Sequence, residues 1–109
     1  MIKFVIAFRK PLNLPNFENA YNELLARIEQ MPDIQRRQVV SVLGSPNGEP
    51  PFYRQLEIYF EDVAQMEAAL RSPAGQTAGA ALGQYFSGGT YQAFFAEVYE
   101  ETGGSTPAP

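Results

Sequence analysis

The spacing of hydrophobic residues changes along this chain, and that change most restricts the folds open to it. Residues 2–9 alternate between bulky apolar side chains and a second, mixed set, a period of two that predicts a β-strand. After two prolines the period becomes helical, and the predicted helix carries one apolar stripe: Phe17, Tyr21, Leu24, Ile28 and Met31. Asn16 is its predicted N-cap, and Pro32 ends it. A strand followed by a helix therefore opens the chain.

The same two periods continue through the rest of the sequence. The predicted elements are strands over residues 34–43 and 52–60, a helix capped by Asp62 with Gln65 as capping-box partner, a short helix capped by Ser72, and a strand over residues 90–99. This order, βαββαβ with a short extra helix before the last strand, predicts an α+β fold of the ferredoxin-like type. We expect one domain over residues 1–101 and a disordered tail over residues 102–109.

The short helix contains a regular series of glycines. Gly75, Gly79 and Gly83 recur every four residues, which places them on one side of a helix. Because glycine has no Cβ, this spacing leaves a bare ridge along the helix. We therefore expect another stretch of backbone to approach closely at this ridge.

In a ferredoxin-like fold the helices cover one face of the sheet, and the other face needs solvent or a partner. That second face is predicted to carry a mixture of apolar, aromatic and charged side chains: Lys3, Val5, Ala7, Arg9, Tyr53, Glu57, Tyr59, Tyr91, Phe95 and Glu97. An exposed aromatic surface of this size is typical of an interaction site. We expect a second copy to cover it, giving a homodimer whose sheets enclose a cavity. A monomer with a partly exposed sheet is the alternative.

Composition excludes several kinds of chemistry. The 109 residues include no His, Cys or Trp, so Ser-His-Asp and Cys-His nucleophiles are absent, as are zinc, copper and haem sites that need imidazole or thiolate. Only a carboxylate or carbonyl site for Mg²⁺ or Ca²⁺ stays open, and because the acidic residues are scattered along the chain we expect no metal and no cofactor. The net charge of −4 and the lack of a long basic run argue against nucleic acid as a partner. The longest apolar run, residues 4–8, is too short to span a membrane, and we expect a cytoplasmic protein.

Three segments of the sequence resemble the EthD family. They are residues 51–60 (PFYRQLEIYF), 69–76 (ALRSPAGQ) and 86–90 (FSGGT), and the likeness extends from the first strand to about Glu101. That family belongs to the dimeric α/β-barrel superfamily. The resemblance implies a homodimeric barrel that takes a small organic ligand. Relatives in the superfamily include cofactor-free monooxygenases, lactone isomerases and polyketide cyclases, so the fold alone leaves the reaction open.

The chain departs from the family pattern at two positions. Members usually carry a His in the first helix near Leu24 or Leu25, and many have an Asp at the position of Ala81. If those polar groups bind substrate or move protons in relatives, this chain cannot do so in the same way. Leu25 lies one position off the apolar stripe, so we expect it, rather than Leu24, to reach the mouth of the pocket.

Glu57 is the candidate catalytic residue. It is predicted in the middle of a strand, and a carboxylate enclosed in a dimer cavity could act as a general acid or base. The alternative is a purely structural ion pair with Arg9 or Lys3 on the neighbouring strand. As a class, the implied enzyme would be a cofactor-independent oxidoreductase or isomerase. A non-catalytic binding or accessory protein of the same fold is the competing hypothesis.

The other candidates would bind the ligand. The hydroxyl groups of Tyr53, Tyr59 and Tyr91 could orient it while their rings supply an apolar wall. Arg54 and Arg9 could hold a carboxylate or enolate oxygen. Ordinary interface aromatics and solvated sheet-edge cations are the structural alternatives for these residues.

Overall fold

The computed structural model describes residues 1–101, which form a four-stranded antiparallel sheet with helices on one face. In chain order the elements are β1 (Ile2–Phe8), α1 (Leu14–Ile28), β2 (Arg36–Ser41), β3 (Arg54–Phe60), α2 (Val63–Arg71), α3 (Pro73–Tyr85) and β4 (Tyr91–Glu97). The strands lie in the order β2-β3-β1-β4. The predicted ferredoxin-like α+β fold, including the extra helix, is thereby confirmed. The expected disordered tail, residues 102–109, lies outside the described residues.

The core lies between the sheet and the helices. Alternate residues of β1 and β3 face it, and the apolar stripe of α1 covers them: Ile2, Ile6, Phe8, Leu56, Ile58 and Phe60 from the sheet, and Phe17, Tyr21, Leu24 and Ile28 from the helix. Met31 follows the end of α1 and is buried in the same core. Within residues 1–101, no helix combines the length and hydropathy that a bilayer-spanning segment needs.

The first helix begins earlier than the sequence pattern predicted. Its N-cap is Asn13, whose Oδ1 accepts a hydrogen bond from the backbone N–H of Asn16 at 3.0 Å. The prediction of Asn16 as the cap was therefore wrong. Pro15 lies inside the first turn, where a helix tolerates proline because the missing N–H has no partner there in any case.

The caps of the other two helices are at the predicted residues. Asp62 Oδ1 accepts the N–H of Gln65 at 2.8 Å, and Ser72 Oγ accepts the N–H of Gly75 at 3.0 Å. The reciprocal half of the predicted capping box is missing, however. Gln65 Oε1 is buried and finds no hydrogen-bond partner in residues 1–101, so this side chain does not complete the box.

The glycine series of α3 permits a close approach at only one position. A Cβ atom on Gly75 would lie 2.2 Å from the carbonyl oxygen of Ala69, at the junction of α2 and α3. Nothing lies within 4 Å of a Cβ placed on Gly79 or Gly83. The predicted continuous ridge is therefore wrong, because the neighbouring backbone crosses α3 at its first turn instead of running along it.

The last strand presents the opposite faces from those predicted. Antiparallel partners share a face, and β4 pairs Phe95 with Phe4 and Tyr91 with Phe8, both on the helix side. Glu97 pairs with Ile2 and is on that side too. The prediction that placed Tyr91, Phe95 and Glu97 on the second face was wrong. Two consecutive phenylalanines make the period of this strand ambiguous, and only the pairing register resolves it.

The sheet face without helices is called the helix-free face below. From the strand register it consists of Lys3, Val5 and Ala7 of β1, Arg36, Gln38 and Val40 of β2, Gln55, Glu57 and Tyr59 of β3, and Gln92, Phe94 and Ala96 of β4. Tyr53 was also predicted there, and that prediction was wrong. Its ring contacts Phe17 of α1 edge-on at 5.7 Å, because Tyr53 precedes β3 and does not follow the alternation of the strand.

Candidate functional site

A buried carboxylate lies at the centre of the helix-free face. Glu57 is only 7% exposed, although none of the three helices described above covers this side of the sheet. Its Oε1 lies 3.2 Å from the ammonium nitrogen of Lys3 and accepts a hydrogen bond from the Tyr59 hydroxyl at 3.1 Å. The ion pair with Lys3 that the sequence left as an alternative is therefore present. It balances the charge of Glu57 and orients the carboxylate.

The Tyr59 hydroxyl connects this carboxylate to the neighbouring strand. It lies 2.9 Å from the side-chain oxygen of Gln38 as well as within reach of Glu57. One hydroxyl has one proton, so it cannot donate to both. Both contacts are satisfied when the side-chain oxygen and nitrogen of Gln38 exchange positions. The Gln38 NH₂ group then donates to the Tyr59 oxygen, and the Tyr59 hydroxyl donates its proton to Glu57. The Arg36 guanidinium lies 4.3 Å from the centre of the Tyr59 ring and covers it.

A second polar cluster lies on the helix side, where α1 packs over the start of β3. Arg54 makes two hydrogen bonds to the Glu18 carboxylate, at 2.5 and 2.9 Å. Its guanidinium also lies 4.6 Å from the centre of the Tyr21 ring and 5.5 Å from that of Tyr53. The Tyr21 hydroxyl and Arg54 Nε are buried and have no hydrogen-bond partner within the described part of the chain. These two donors would need a water or a ligand atom to be satisfied.

The two charged groups of this cluster affect each other's titration. The hydrogen bonds from Arg54 hold the pKa of the Glu18 carboxyl below its ordinary value, and those bonds raise the pKa of Arg54. Burial raises the pKa of the Tyr21 hydroxyl, and the charge of Arg54 partly opposes that effect. Glu18 and Arg54 are therefore both charged at neutral pH.

Replacing Glu18 by glutamine should destabilise the protein at neutral pH but not in acid. The pKa of Glu18 is lower in the folded than in the unfolded chain, so its stabilising effect is present above the unfolded value and is lost as the pH falls. We expect a loss of about 1 kcal/mol at pH 7, limited by the solvent exposure of Glu18, and a much smaller loss near pH 3.

Urea unfolding at the two pH values measures this difference. Glu23→Gln is the matched control, because Glu23 faces Arg27 at 3.6 Å on the exposed side of the same helix. It should cost only a few tenths of a kcal/mol. Equal losses for the two variants at pH 7 would show that the Glu18–Arg54 contact is no stronger than a surface ion pair.

The structure distributes the predicted site residues over different parts of the fold. Glu57 and Tyr59 are together on the helix-free face, whereas Tyr53 and Arg54 are together on the helix side. Tyr91 packs against the core. Lys3 was foreseen only as a structural partner of Glu57. The contributions of Gln38, Glu18 and Tyr21 were not foreseen, because each depends on how one element lies against another.

Arg9 lies where β1 leaves the sheet. Its Nε donates to the carbonyl oxygen of Gly89 at 3.0 Å, and its guanidinium carbon is 5.4 Å from the centre of the Phe52 ring. The other candidate ion-pair partner of Glu57 is therefore engaged elsewhere. Among residues 1–101, no three acidic side chains converge in a way that could hold a metal ion.

Leu24, Leu25 and Ala81, where the resemblance implied polar groups in relatives, are all in apolar surroundings in this structure. Leu24 is 1% exposed and lines a cavity of about 70 Å³ between the helices and the sheet. Ala81 is buried in the same core, and Leu25 is partly buried against it. The expectation that Leu25 reaches the mouth of a ligand pocket remains a prediction.

The sheet order and the one-sided helix layer define a ferredoxin-like α+β protein. No protein-family model matches the chain. An uncharacterised 11.0 kDa protein from Rhodococcus erythropolis, encoded in the thcB-thcC intergenic region, is 29% identical in an alignment of 96 residues that covers 86% of this chain and 92% of that one. A crystal structure of an EthD family protein from Bacillus halodurans has 25% identity and a TM-score of 0.84, over 91% of this chain and 99% of that one. The resemblance to the EthD family is confirmed.

Other solved structures share the fold at lower identity. A dimeric ferredoxin-like protein of unknown function from Jannaschia has a TM-score of 0.66 at 15% identity, covering 90% of this chain and all of that one. The structure of the cofactor-independent oxygenase SnoaB from Streptomyces nogalater has a TM-score of 0.62 at 15% identity, covering 93% of this chain and 94% of that one. The structure of a hydroxynitrile lyase from Passiflora edulis has a TM-score of 0.69 at 13% identity, covering 94% of this chain and 96% of that one. At this identity the likeness shows the fold alone.

Proposed function

We propose that this protein is a homodimer that binds a small, mostly apolar organic molecule between its two sheets. We further propose that Glu57 acts on that molecule as a general acid or base without a cofactor. The observation that carries the proposal is the placement of Glu57, a buried carboxylate with two donors on a sheet face that no helix covers. A non-catalytic protein that binds the same kind of ligand is the second candidate.

The chemistry follows from what surrounds the carboxylate. A weakly acidic C–H or O–H of the ligand gives its proton to Glu57, and the electron pair stays on the ligand as an enolate or phenolate. The Lys3 ammonium and the Tyr59 hydroxyl, which donate to Glu57 in the free protein, are then able to donate to the new oxyanion. Donors already in position for the developing charge lower the barrier without reorganising.

The solved structures of the same fold support this class of activity. Their described roles include a cofactor-independent oxygenase and a hydroxynitrile lyase, and at least one further neighbour is described as dimeric. The fold is therefore compatible with ligand binding or with catalysis. Because one fold supports many reactions, the proposal depends on Glu57 and its partners and not on the likeness.

Deuterium exchange at an enolisable carbon tests the acid–base role without knowledge of the natural substrate. In D₂O, the wild-type protein should speed the loss of the α-proton signal of 2-tetralone in ¹H NMR beyond the buffer rate. Glu57→Gln keeps the size of the side chain but removes the base, so we expect the protein-dependent rate to fall about 100-fold. Glu61→Gln, on the exposed residue that follows β3, should leave the rate unchanged.

The outcomes separate the two candidate functions. If 2-tetralone binds in saturation-transfer NMR but does not exchange faster than in buffer, the non-catalytic function is supported and the catalytic one is contradicted. Exchange that survives Glu57→Gln would assign the chemistry to another group. A protein that neither binds nor exchanges the ketone contradicts both for this class of ligand.

A further inference from the structure

A second cavity lies at one end of the sheet, outside the network of Glu57. It has a volume of about 400 Å³ and is formed where β1 passes into α1 and α3 passes into β4. Among the described residues, the cations Arg9 and Lys10 line it, and no carboxylate side chain does. This size is within the range of pockets for small organic ligands.

The wall of this cavity next to the core is aromatic and is part of the packed core. Phe17 of α1 and Phe86, which follows α3, both line it and are each only 7% exposed. Their ring centres are 5.8 Å apart at an interplanar angle of 72°, and both rings also pack on Phe8. Because these rings belong to the core, the surface that they present is already formed before any ligand binds. The exposed part of each ring is small, and Pro11, Leu12 and Tyr85 complete an apolar wall that suits a flat apolar ring.

The two cations have no acidic partner among residues 1–101. Arg9 uses Nε to donate to the Gly89 carbonyl, which positions the guanidinium and leaves its two terminal nitrogens without a carboxylate partner. Lys10 follows Arg9 and makes no ion pair there either. Five of the other cations in residues 1–101 do pair with a carboxylate, so the lining of this cavity carries two positive charges and no negative one, although the net charge of the chain is −4. An anion is therefore favoured here over a neutral molecule.

We propose that this cavity binds a small aromatic carboxylate, with the ring against Phe17 and Phe86 and the carboxylate towards Arg9 and Lys10. The planar fork of an arginine matches the two oxygens of a carboxylate, and the lysine adds a second positive charge. This site is separate from the proposed acid–base site, takes an anion in place of a neutral apolar molecule, and does not need Glu57.

Three probes separate the contributions of the ring and of the charge. Titration of the full chain with 2-naphthoate, followed by ¹⁵N–¹H NMR, should give saturable shifts at the amides around Arg9, Phe17 and Thr90. The neutral analogue 2-naphthalenemethanol should bind at least 10-fold more weakly. Acetate, which has the charge but no ring, should produce no saturable shift over the same concentrations.

Variants test the two cations directly. Arg9→Gln and Lys10→Gln should each weaken 2-naphthoate binding about 5-fold to 10-fold. Arg71→Gln removes an exposed arginine paired with Glu67 at the end of α2, and should leave the affinity unchanged. Glu57→Gln should also leave it unchanged, so failure of this site and failure of the acid–base site are distinguishable.

Specific results would overturn the proposal. Equal affinity for the acid and the alcohol would show that charge plays no part. An Arg9→Gln/Lys10→Gln double variant that binds 2-naphthoate as tightly as the wild type would show that these residues do not hold it. Shifts confined to the amides around Lys3 and Tyr59 would place the anion on the helix-free face instead.

Discussion

Replacing Gly75 by alanine should destabilise the protein by about 3 kcal/mol, which is more than a hundredfold in the ratio of folded to unfolded chains. The added Cβ would lie 2.2 Å from the Ala69 carbonyl oxygen and 2.4 Å from that of Leu70. Both atoms belong to backbone, so no side chain can move aside to relieve the overlap. The α2–α3 junction would have to open, and Met66 and Ala69 of α2 are part of the buried core.

A matched substitution in the same helix should act in the opposite direction. Gly79→Ala adds the same methyl group where nothing lies within 4 Å, so only the helix propensity changes. We expect it to stabilise the protein by about 0.5–1 kcal/mol. Urea unfolding followed by circular dichroism measures both variants. Equal effects at the two positions would show that the backbone does not approach Gly75 as closely as described.

The fold was predictable where the hydrophobic period was strong. The alternation in β1 and the stripe of α1 indicated the correct buried faces, because each period is maintained over several residues. The hydrophobic period did not indicate the correct faces of β4, where Phe94 and Phe95 are adjacent and are 45% and 56% exposed. Both residues look like core in sequence, and only the hydrogen-bond register with β1 shows which faces the helices.

The candidate site was predictable to the same extent. Glu57 and Tyr59 are two residues apart in a strand, so their shared face follows from alternation alone, and Lys3 follows from pairing of the two central strands. The Arg54 cluster does not follow from any local pattern. It depends on how α1 crosses the start of β3, which brings Glu18 to a residue 36 positions away.

The helix-free face makes the strongest prediction about assembly. If two copies meet through this face, as the proposed function requires, the protein should sediment as a dimer at micromolar concentration, with an interface of roughly 1,600 Å² or more. Phe94 is paired with Val5 on this face and is 45% exposed in one copy, so it is available to a partner. Phe94→Glu would place an unpaired charge in that interface, on the same face as the Glu57 carboxylate and separated from it by Val5 of β1.

We expect Phe94→Glu to raise the dimer dissociation constant about 1,000-fold, equivalent to about 4 kcal/mol. The neighbouring residue supplies the control, because Phe95 is even more exposed, at 56%, but belongs to the helix side of the sheet. Phe95→Glu should leave the dimer intact, since its charge points away from the partner. Sedimentation velocity of the three proteins over a range of concentrations measures the constants. A monomeric wild type, or a dimer broken by Phe95→Glu and not by Phe94→Glu, would rule out assembly through the helix-free face and with it the enclosed cavity around Glu57.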